Sequence, residues 1–211
     1  MYLNALKNLK SRRSHTRFAY FWILKVEHLG RMKVERLVEC IRNQDQRAMS
    51  QLYQRYVEQL SSVCYRYVPS ESDAKDVLQN SFVKIFMSIR TFEYRDEPSF
   101  EGWMVRIVVN EALHFLQGRK RLMMVDINEA AVAQATDEEN PEAGRISADE
   151  LHQLISELPD GYRTVLNLYV FEGYSHRKIA QLLGIKESTS ASQLYFAKRH
   201  LARKIKGKVR K

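Results

Sequence analysis

The residues of this chain that most clearly suggest chemistry are the polar and basic side chains at its C-terminal end. From Tyr174 onward the sequence carries eleven Lys or Arg and a single acid, and the whole 211-residue chain has a formal net charge of +9. A solvated helix face usually mixes both signs of charge. A block of one sign, interspersed with Ser, Thr and Gln, is suited to holding phosphates and touching base edges. The chemistry therefore predicts a polyanionic partner.

Two predicted helices position these side chains. Ser175 can cap the first, because its hydroxyl accepts from a free backbone N–H, and Gly184 stands where the turn needs a positive φ. The second helix opens near Glu187. It is predicted to turn Leu194, Ala197 and Leu201 inward and Ser190, Ser192, Gln193, Lys198, Arg199 and Arg203 outward. Helix pairs joined by a glycine are common in helical proteins. The prediction that this pair is a DNA-binding helix-turn-helix therefore depends on the block of basic residues beside it.

The sequence does not predict covalent catalysis. Cys40 and Cys64 are too few and too far apart for a zinc cluster, and the six His show no paired ligand spacing. No Gly-rich phosphate loop, nucleophile motif or catalytic carboxylate pair appears. We therefore expect a protein that is not an enzyme, with no metal, no cofactor and no small-molecule substrate. The two thiols are expected to be reduced and in the core, as in a cytoplasmic protein.

The first 33 residues form a basic stretch with eight Lys or Arg and one Glu. Its longest apolar run, Phe18 to Leu24, is too short to span a membrane and lacks a small-residue cleavage site. Two interpretations stay open: a poorly ordered basic arm, or a translated upstream stretch preceding a true start at Met32. We expect no membrane-spanning segment.

The rest of the chain predicts an all-α protein with two helical domains. Apolar residues recur at spacings of three and four through the first domain, with Ser72 capping its third helix. Residues 122–150 hold eight acids against one Arg, which suits a flexible acidic linker, and Ser147 and Glu150 are spaced as a capping box. The predicted boundaries are a basic extension 1–33, a first domain 34–121, a linker 122–146, a second domain 147–205 and a basic tail 206–211.

Three stretches together resemble a bacterial sigma factor of the extracytoplasmic-function group of the sigma-70 family. They read SESDAKDVLQNSFVKIF, SFEGWMVRIVVNEALHFLQGRKR and LPDGYRTVLNLYVFEGYSHRKIAQLLGI. They resemble, in order, the region-two helix that docks on polymerase, the region-two helix that opens the −10 element, and the entry to region four. The combination of Asp-x-x-Gln with Trp-x-x-Arg-x-x-x-Asn is far more specific than either motif alone.

The resemblance implies three sets of site residues. For binding core RNA polymerase it implies Asp76, Gln79, Asn80 and Val83. For the −10 element it implies Phe92, Tyr94, Arg106, Asn110, Arg119, Lys120 and Arg121, with Phe92 or Tyr94 stacking on an unstacked base. For the −35 element it implies Ser188, Thr189, Ser192, Gln193, Lys198, Arg199 and Arg203. On the fourth helix the inward stripe is predicted to be Trp103, Ile107, Val108, Ala112 and Phe115.

The expected partners are core RNA polymerase, promoter DNA and an anti-sigma factor. The expected function is promoter-specific initiation of transcription through the −10 and −35 elements. Its main alternative is a polymerase-independent helix-turn-helix regulator. That alternative leaves the Asp76–Val83 face and the Arg106/Asn110 stripe unexplained.

Overall fold

The N-terminal helical unit consists of four helices. The computed structural model describes residues 32–118 and 147–209. In the first of these ranges lie α1 (Val34–Arg42), α2 (Gln46–Tyr67), α3 (Glu71–Ser88) and α4 (Glu97–Gly118). Helix α2 is central, because α1, α3 and α4 all pack against it. The described residues contain no β-strand, and the predicted all-α class is confirmed.

Local signals explain where these helices begin and end. The Asp45 carboxylate accepts from the backbone N–H groups of Arg47 and Ala48 and so caps α2. Helix α2 stops at Tyr67, two residues before Pro69, which has no N–H to continue it. The prediction that Ser72 caps α3 is wrong.

Helix α3 starts two residues earlier than predicted. Its N-cap position is Ser70, which has extended backbone, so Ser72 is already helical. The start follows from Pro69, because the chain leaves the proline extended and turns at once into a helix. The acidic residues Glu71 and Asp73 then lie in the first turn, where the helix dipole favours negative charge.

The core of this unit lies between α2, α3 and α4. Val108 and Ala112 of α4 are fully buried, as predicted, but Trp103, Ile107 and Phe115 are only half-buried. The most buried stripe instead contains Phe100, Met104, Val108, Ala112 and Leu116. The buried stripe is therefore rotated around the helix relative to the predicted one, because it begins at Phe100 and continues at spacings of four through Met104, Val108 and Ala112.

The C-terminal unit contains α5 (Ala148–Ser156), α6 (Asp160–Val170), α7 (His176–Leu183) and α8 (Glu187–Val209). The capping box at the start of α5 is confirmed, because the Ser147 hydroxyl accepts from Glu150 N–H and the Glu150 carboxylate accepts from Ser147 N–H. Helix α8 packs against both α6 and α7.

The predicted helix-turn-helix is α7 and α8. The Ser175 hydroxyl accepts from Lys178 N–H at 3.3 Å, and Gly184 has φ of 67° at the turn. Leu194, Ala197 and Leu201 of α8 are all buried, as predicted. These signals are local, which is why the sequence could predict them.

The two units touch through α2, which packs against α5 and α6. The predicted linker 122–146, residues 1–31 and the end of the basic tail at 210–211 lie outside the described residues. The domain boundaries at those segments therefore stay predictions.

Candidate nucleic-acid interface

The exposed face of α3 carries the four residues predicted to bind polymerase. Asp76, Gln79, Asn80 and Val83 are all exposed, whereas Val77, Leu78 and Phe82 beneath them are buried. Val83 is 51% exposed and Met87, one turn further, is 75% exposed. Large apolar side chains at such exposure beside polar ones are typical of an interaction surface. The structure thus brings the predicted set together on one solvent-facing side of α3.

A second exposed stripe runs along α4. Arg106, Asn110 and His114 follow one another at spacings of four and are all exposed. The side chains of Arg106 and Asn110 make no hydrogen bond or ion pair with any other described residue. The side-chain N–H groups of Arg106 and Asn110 therefore face solvent. Such groups can bind a phosphate or a base edge without first breaking an internal contact.

The loop before α4 is held by an arginine and an aromatic cluster. The Arg42 guanidinium donates to Phe92 O and to Ile89 O, which fixes the loop against the end of α1. The Phe92 ring lies 4.6 Å from the Trp103 ring, and the Tyr94 ring lies 6.2 Å from that of Phe100, centroid to centroid. Both loop aromatics are half-buried. Each keeps some exposed surface, and the base-stacking role stays a prediction.

The loop ends in an acidic start to α4. The Asp96 carboxylate accepts from Ser99 N–H at 2.7 Å, and hydrogen bonds from the Ser99 side chain and backbone hold the pKa of Asp96 below its usual value. The predicted backbone contacts Arg119, Lys120 and Arg121 lie outside the described residues.

The recognition helix α8 presents most of the predicted −35 residues to solvent. Ser188, Lys198, Arg199 and Arg203 are exposed, and Thr189 and Ser192 are half-buried. The Ser192 hydroxyl donates to Ser188 O at 2.9 Å, so part of its hydrogen-bonding capacity is used within the helix. The three basic residues fall on the later turns of α8 and the hydroxyl residues on its first two turns.

Two residues predicted to face outward on α8 are buried, and that prediction is wrong for both. Gln193 is 3% exposed, and an added Cβ at Gly161 of α6 would lie 3.3 Å from its side-chain nitrogen. Ser190 is fully buried and lies 3.0 Å from His176 Nδ1. In this arrangement Gln193 has no surface to offer DNA. Ser190 lies four positions before Leu194 and Gln193 lies four positions before Ala197, which places both on the inward stripe.

The pair formed by His176 and Ser190 was missed by sequence reasoning. His176 opens α7, and its ring stacks on Tyr169 with centroids 4.7 Å apart while its Nδ1 meets Ser190 Oγ. The contact joins the first helix of the motif to the recognition helix. A polar residue at an inward helix position was the available signal, because buried polar groups need a partner.

The described residues contain no cluster of His, Cys, Asp or Glu that could hold a metal ion. Cys64 is fully buried and donates to Ala74 O, and burial raises the pKa of its thiol to about 12. Such a thiol is chemically unreactive. No helix in residues 32–118 or 147–209 is long and apolar enough to cross a membrane.

Comparison with known proteins matches both units to one family. The model of "Sigma-70 region 2" matches residues 52–122, and that of "Sigma-70, region 4" matches residues 148–201. The ECF RNA polymerase sigma-E factor of Escherichia coli strain K12 is 32% identical over 83% of this chain and 95% of its own length. The chain belongs to the extracytoplasmic-function group of sigma-70 factors.

Another sigma-E factor gives the same family assignment. The sigma-E factor of Haemophilus influenzae is 32% identical over 80% of this chain and 93% of its own length. Among solved structures, CnrH in complex with the cytosolic domain of CnrY has 20% identity and a TM-score of 0.44, covering 81% of this chain and 96% of that one. The family assignment rests on the sequence comparisons. This sigma factor directs transcription from promoters with core RNA polymerase, and the alternative of a polymerase-independent regulator is not favoured.

Proposed function

We propose that the three exposed surfaces divide the work of the sigma factor among three helices. The α3 face with Asp76, Gln79, Asn80 and Val83 binds core polymerase. The α4 stripe with Arg106 and Asn110 contacts the −10 element, and α8 contacts the −35 element through Lys198, Arg199 and Arg203. The observation that carries this assignment is the position of each set on an exposed face within the matching sigma region.

The chemistry at these surfaces is recognition without bond making. Arg106 can hold a phosphate or the edge of a guanine, and Asn110 can pair with an adenine at two atoms. The cations of α8 neutralise phosphates and release counterions, which makes binding depend steeply on salt. We infer that the protein catalyses no reaction of its own and works in the cytoplasm. An anti-sigma factor would act by covering these same surfaces.

The Asn110 side chain offers the sharpest test of the α4 assignment. In transcription reconstituted with core polymerase, Asn110→Ala is expected to reduce promoter opening, since a bidentate base contact contributes about 1–3 kcal/mol. Folding and polymerase binding should stay near wild type, because Asn110 is exposed and without a partner in the described residues. Permanganate footprinting of the melted strand measures the opening.

The matched control is Gln59→Ala, which removes an exposed amide from α2, away from the proposed stripe. Normal opening by both Asn110→Ala and Arg106→Ala would remove the −10 role from α4.

For polymerase docking, the double change of Asp76 and Gln79 to Ala should weaken binding in a pull-down with helical content unchanged. Full binding by that folded variant would refute the α3 face.

A further inference from the structure

The loop that joins α3 to α4 is fixed at its two ends and has no hydrogen bonds in its middle. We call residues 89–96 the capture loop, because it carries Phe92 and Tyr94, the two aromatics predicted to stack on an unstacked base. At its start the Arg42 guanidinium donates to Phe92 O. Residues 93–95 make no hydrogen bond to any other described residue. The position of Tyr94 therefore depends on what holds the far end of the loop.

The far end of the capture loop is held through Glu97, the first residue of α4. Its carboxylate forms an ion pair with the Arg55 guanidinium and accepts a hydrogen bond from the Tyr56 hydroxyl at 3.1 Å. Both donors belong to α2, the central helix of this unit. The Arg55 and Glu97 side chains are 31% and 41% exposed, whereas Tyr56 is buried, so the contact lies at the edge of the core. The residue that follows the loop is thus tied to the central helix.

Arg55 is itself held by two further contacts. Its guanidinium donates to Met32 O at 3.4 Å and lies 5.6 Å from the centre of the Tyr56 ring. A guanidinium presents several donors in one fixed plane, so a single arginine can hold Met32 and Glu97 together. Arg55 is therefore oriented in the protein before any DNA arrives.

Glu97 is close enough to the aromatic residues of the capture loop for its position to matter. It follows Tyr94 by three residues, at most about 11 Å of chain. The Tyr94 ring in turn lies 6.2 Å from the ring of Phe100, which is about one turn into α4. A binding group must be held within about 0.5 Å of its productive geometry, and residues that do not touch the ligand supply that support. Arg55 is in place to supply it here.

We propose that Arg55 is a positioning residue for capture of the unstacked −10 base. Through Glu97 it fixes the end of the capture loop, and with it the aromatic face that is offered to the base. The proposal rests on the proposed −10 role of this unit and on the stacking predicted for Phe92 or Tyr94. Arg55 does not touch the DNA. It lowers the cost of capture, because a loop that is already ordered loses less conformational entropy when the base binds.

The test compares an intact strand of DNA with a strand that lacks the captured base. Holoenzyme assembled with each variant binds a single-stranded oligonucleotide of a −10 element that the wild-type holoenzyme opens. The captured base is the one whose removal abolishes the effect of Tyr94→Ala or of Phe92→Ala. Arg55→Ala should weaken binding of the intact strand about fivefold, the upper end of what a partly exposed ion pair contributes, and leave binding of the abasic strand at the wild-type value. A residue that only supported the fold would weaken binding of both strands alike.

Protease cleavage of the free protein reports on the capture loop without polymerase. Arg95 lies within the loop, so trypsin can cut the bond between Arg95 and Asp96 when the loop leaves its folded position. Arg55→Ala should raise the rate of this cleavage about fivefold, because cleavage follows the population of the open loop. Mass spectrometry identifies the cut, and circular dichroism checks that the helical content is unchanged.

Three variants separate the ion pair from other effects. Arg55→Lys keeps a cation beside Glu97 and should return both measurements toward wild type. Glu97→Gln removes the charge but keeps an oxygen for Tyr56, so it should act like Arg55→Ala, and the double variant should add little to either change. Arg47→Ala removes an exposed arginine from the same helix and should leave the ratio of intact to abasic affinity unchanged.

A ratio of intact to abasic affinity that stays at the wild-type value in Arg55→Ala would overturn the proposal, and so would an unchanged rate of cleavage at Arg95. Failure of the stacking role gives a different result, because Tyr94→Ala and Phe92→Ala would then both leave the ratio unchanged, and the positioning role would fall with it. A wild-type protein that directs no core polymerase would contradict the proposed function. Cleavage at Arg95 would still decide whether Arg55 fixes the loop.

Discussion

The two helical units bury their polar groups very differently. Apart from tyrosines and Cys64, the one buried polar side chain in residues 32–118 is Ser81, which donates to Val77 O of its own helix. The smaller C-terminal unit buries Arg163, Thr164, Asn167, Ser190 and Gln193. The core of the first unit is mainly apolar, whereas the core of the second contains several hydrogen-bonded polar side chains, some of which bond to the first unit. The second unit should therefore depend more on its surroundings.

The largest effect is expected in the apolar core of the N-terminal unit. Phe100 is fully buried and lies against the rings of Phe92, Trp103 and Tyr56. Phe100→Ala should lower the free energy of unfolding by about 3–5 kcal/mol through the cavity it leaves. Chemical denaturation followed by circular dichroism measures this. A loss below about 1 kcal/mol would contradict an apolar core as the main support of this unit.

A slightly smaller loss is expected for the polar core of the C-terminal unit. The Arg163 guanidinium donates to Leu158 O at 2.7 Å and to Tyr67 O, and it also pairs with Asp160. Arg163→Ala leaves these acceptors buried, so we expect a loss of about 2–4 kcal/mol. The control Arg177→Ala removes an exposed cation of α7 and should change stability by less than about 0.5 kcal/mol.

Substitution of Gln193 distinguishes a structural role for this residue from a role in contacting DNA. Gln193→Leu keeps the volume and removes an oxygen, Oε1, that is buried without a partner in the described part of the chain. We expect unfolding free energy to change by less than about 1 kcal/mol and promoter affinity to stay near wild type. Arg199→Ala should instead reduce the slope of log affinity against log salt by about one unit. A large loss of promoter binding by Gln193→Leu would restore Gln193 as a DNA contact.

The smallest effect concerns the pH dependence of the contact that Glu172 makes with Arg66 and Tyr67 at the end of α2. Burial raises the pKa of Glu172, and it outweighs the opposing effects of Arg66 and Tyr67, which face it from α2. A raised pKa in the folded protein means that the neutral carboxyl contributes stability below the ordinary value near 4.5, and that this contribution is lost as pH rises through the raised pKa. The free energy of unfolding should fall over that window, which chemical denaturation at a series of pH values measures. Glu172→Gln should remove this step, and an unchanged step would assign it to another group.

The sequence predicted the features that depend on neighbouring residues. Ser175, Gly184 and the Ser147–Glu150 box each act within a few positions, and each is where it was expected. The resemblance named Arg106 and Asn110 together, and their spacing of four agrees with the exposed stripe that they form. These signals require no knowledge of what packs against the helix.

The wrong predictions for Ser190 and Gln193 on α8 have a different cause. Ser190 and Gln193 lie on the inward stripe with Leu194 and Ala197, yet their polar side chains suggested an outward position. Only the partners that satisfy or cover them, His176 and Gly161, make their burial possible. Likewise, the donors from α6 to the end of α2 cross about a hundred residues of sequence. No local pattern indicates such a contact.

Because Arg163 and Asn167 complete the end of α2 from far along the chain, the ribosome releases the two sides of that contact at different times. The N-terminal unit emerges complete once Gly118 has left the exit tunnel, whereas Glu172 follows 54 residues later. At about 5–20 residues per second this interval lasts roughly 3–11 s. During synthesis the nascent chain therefore passes through a period in which α3, the helix proposed to bind polymerase, is folded and the end of α2 still lacks its donors from α6.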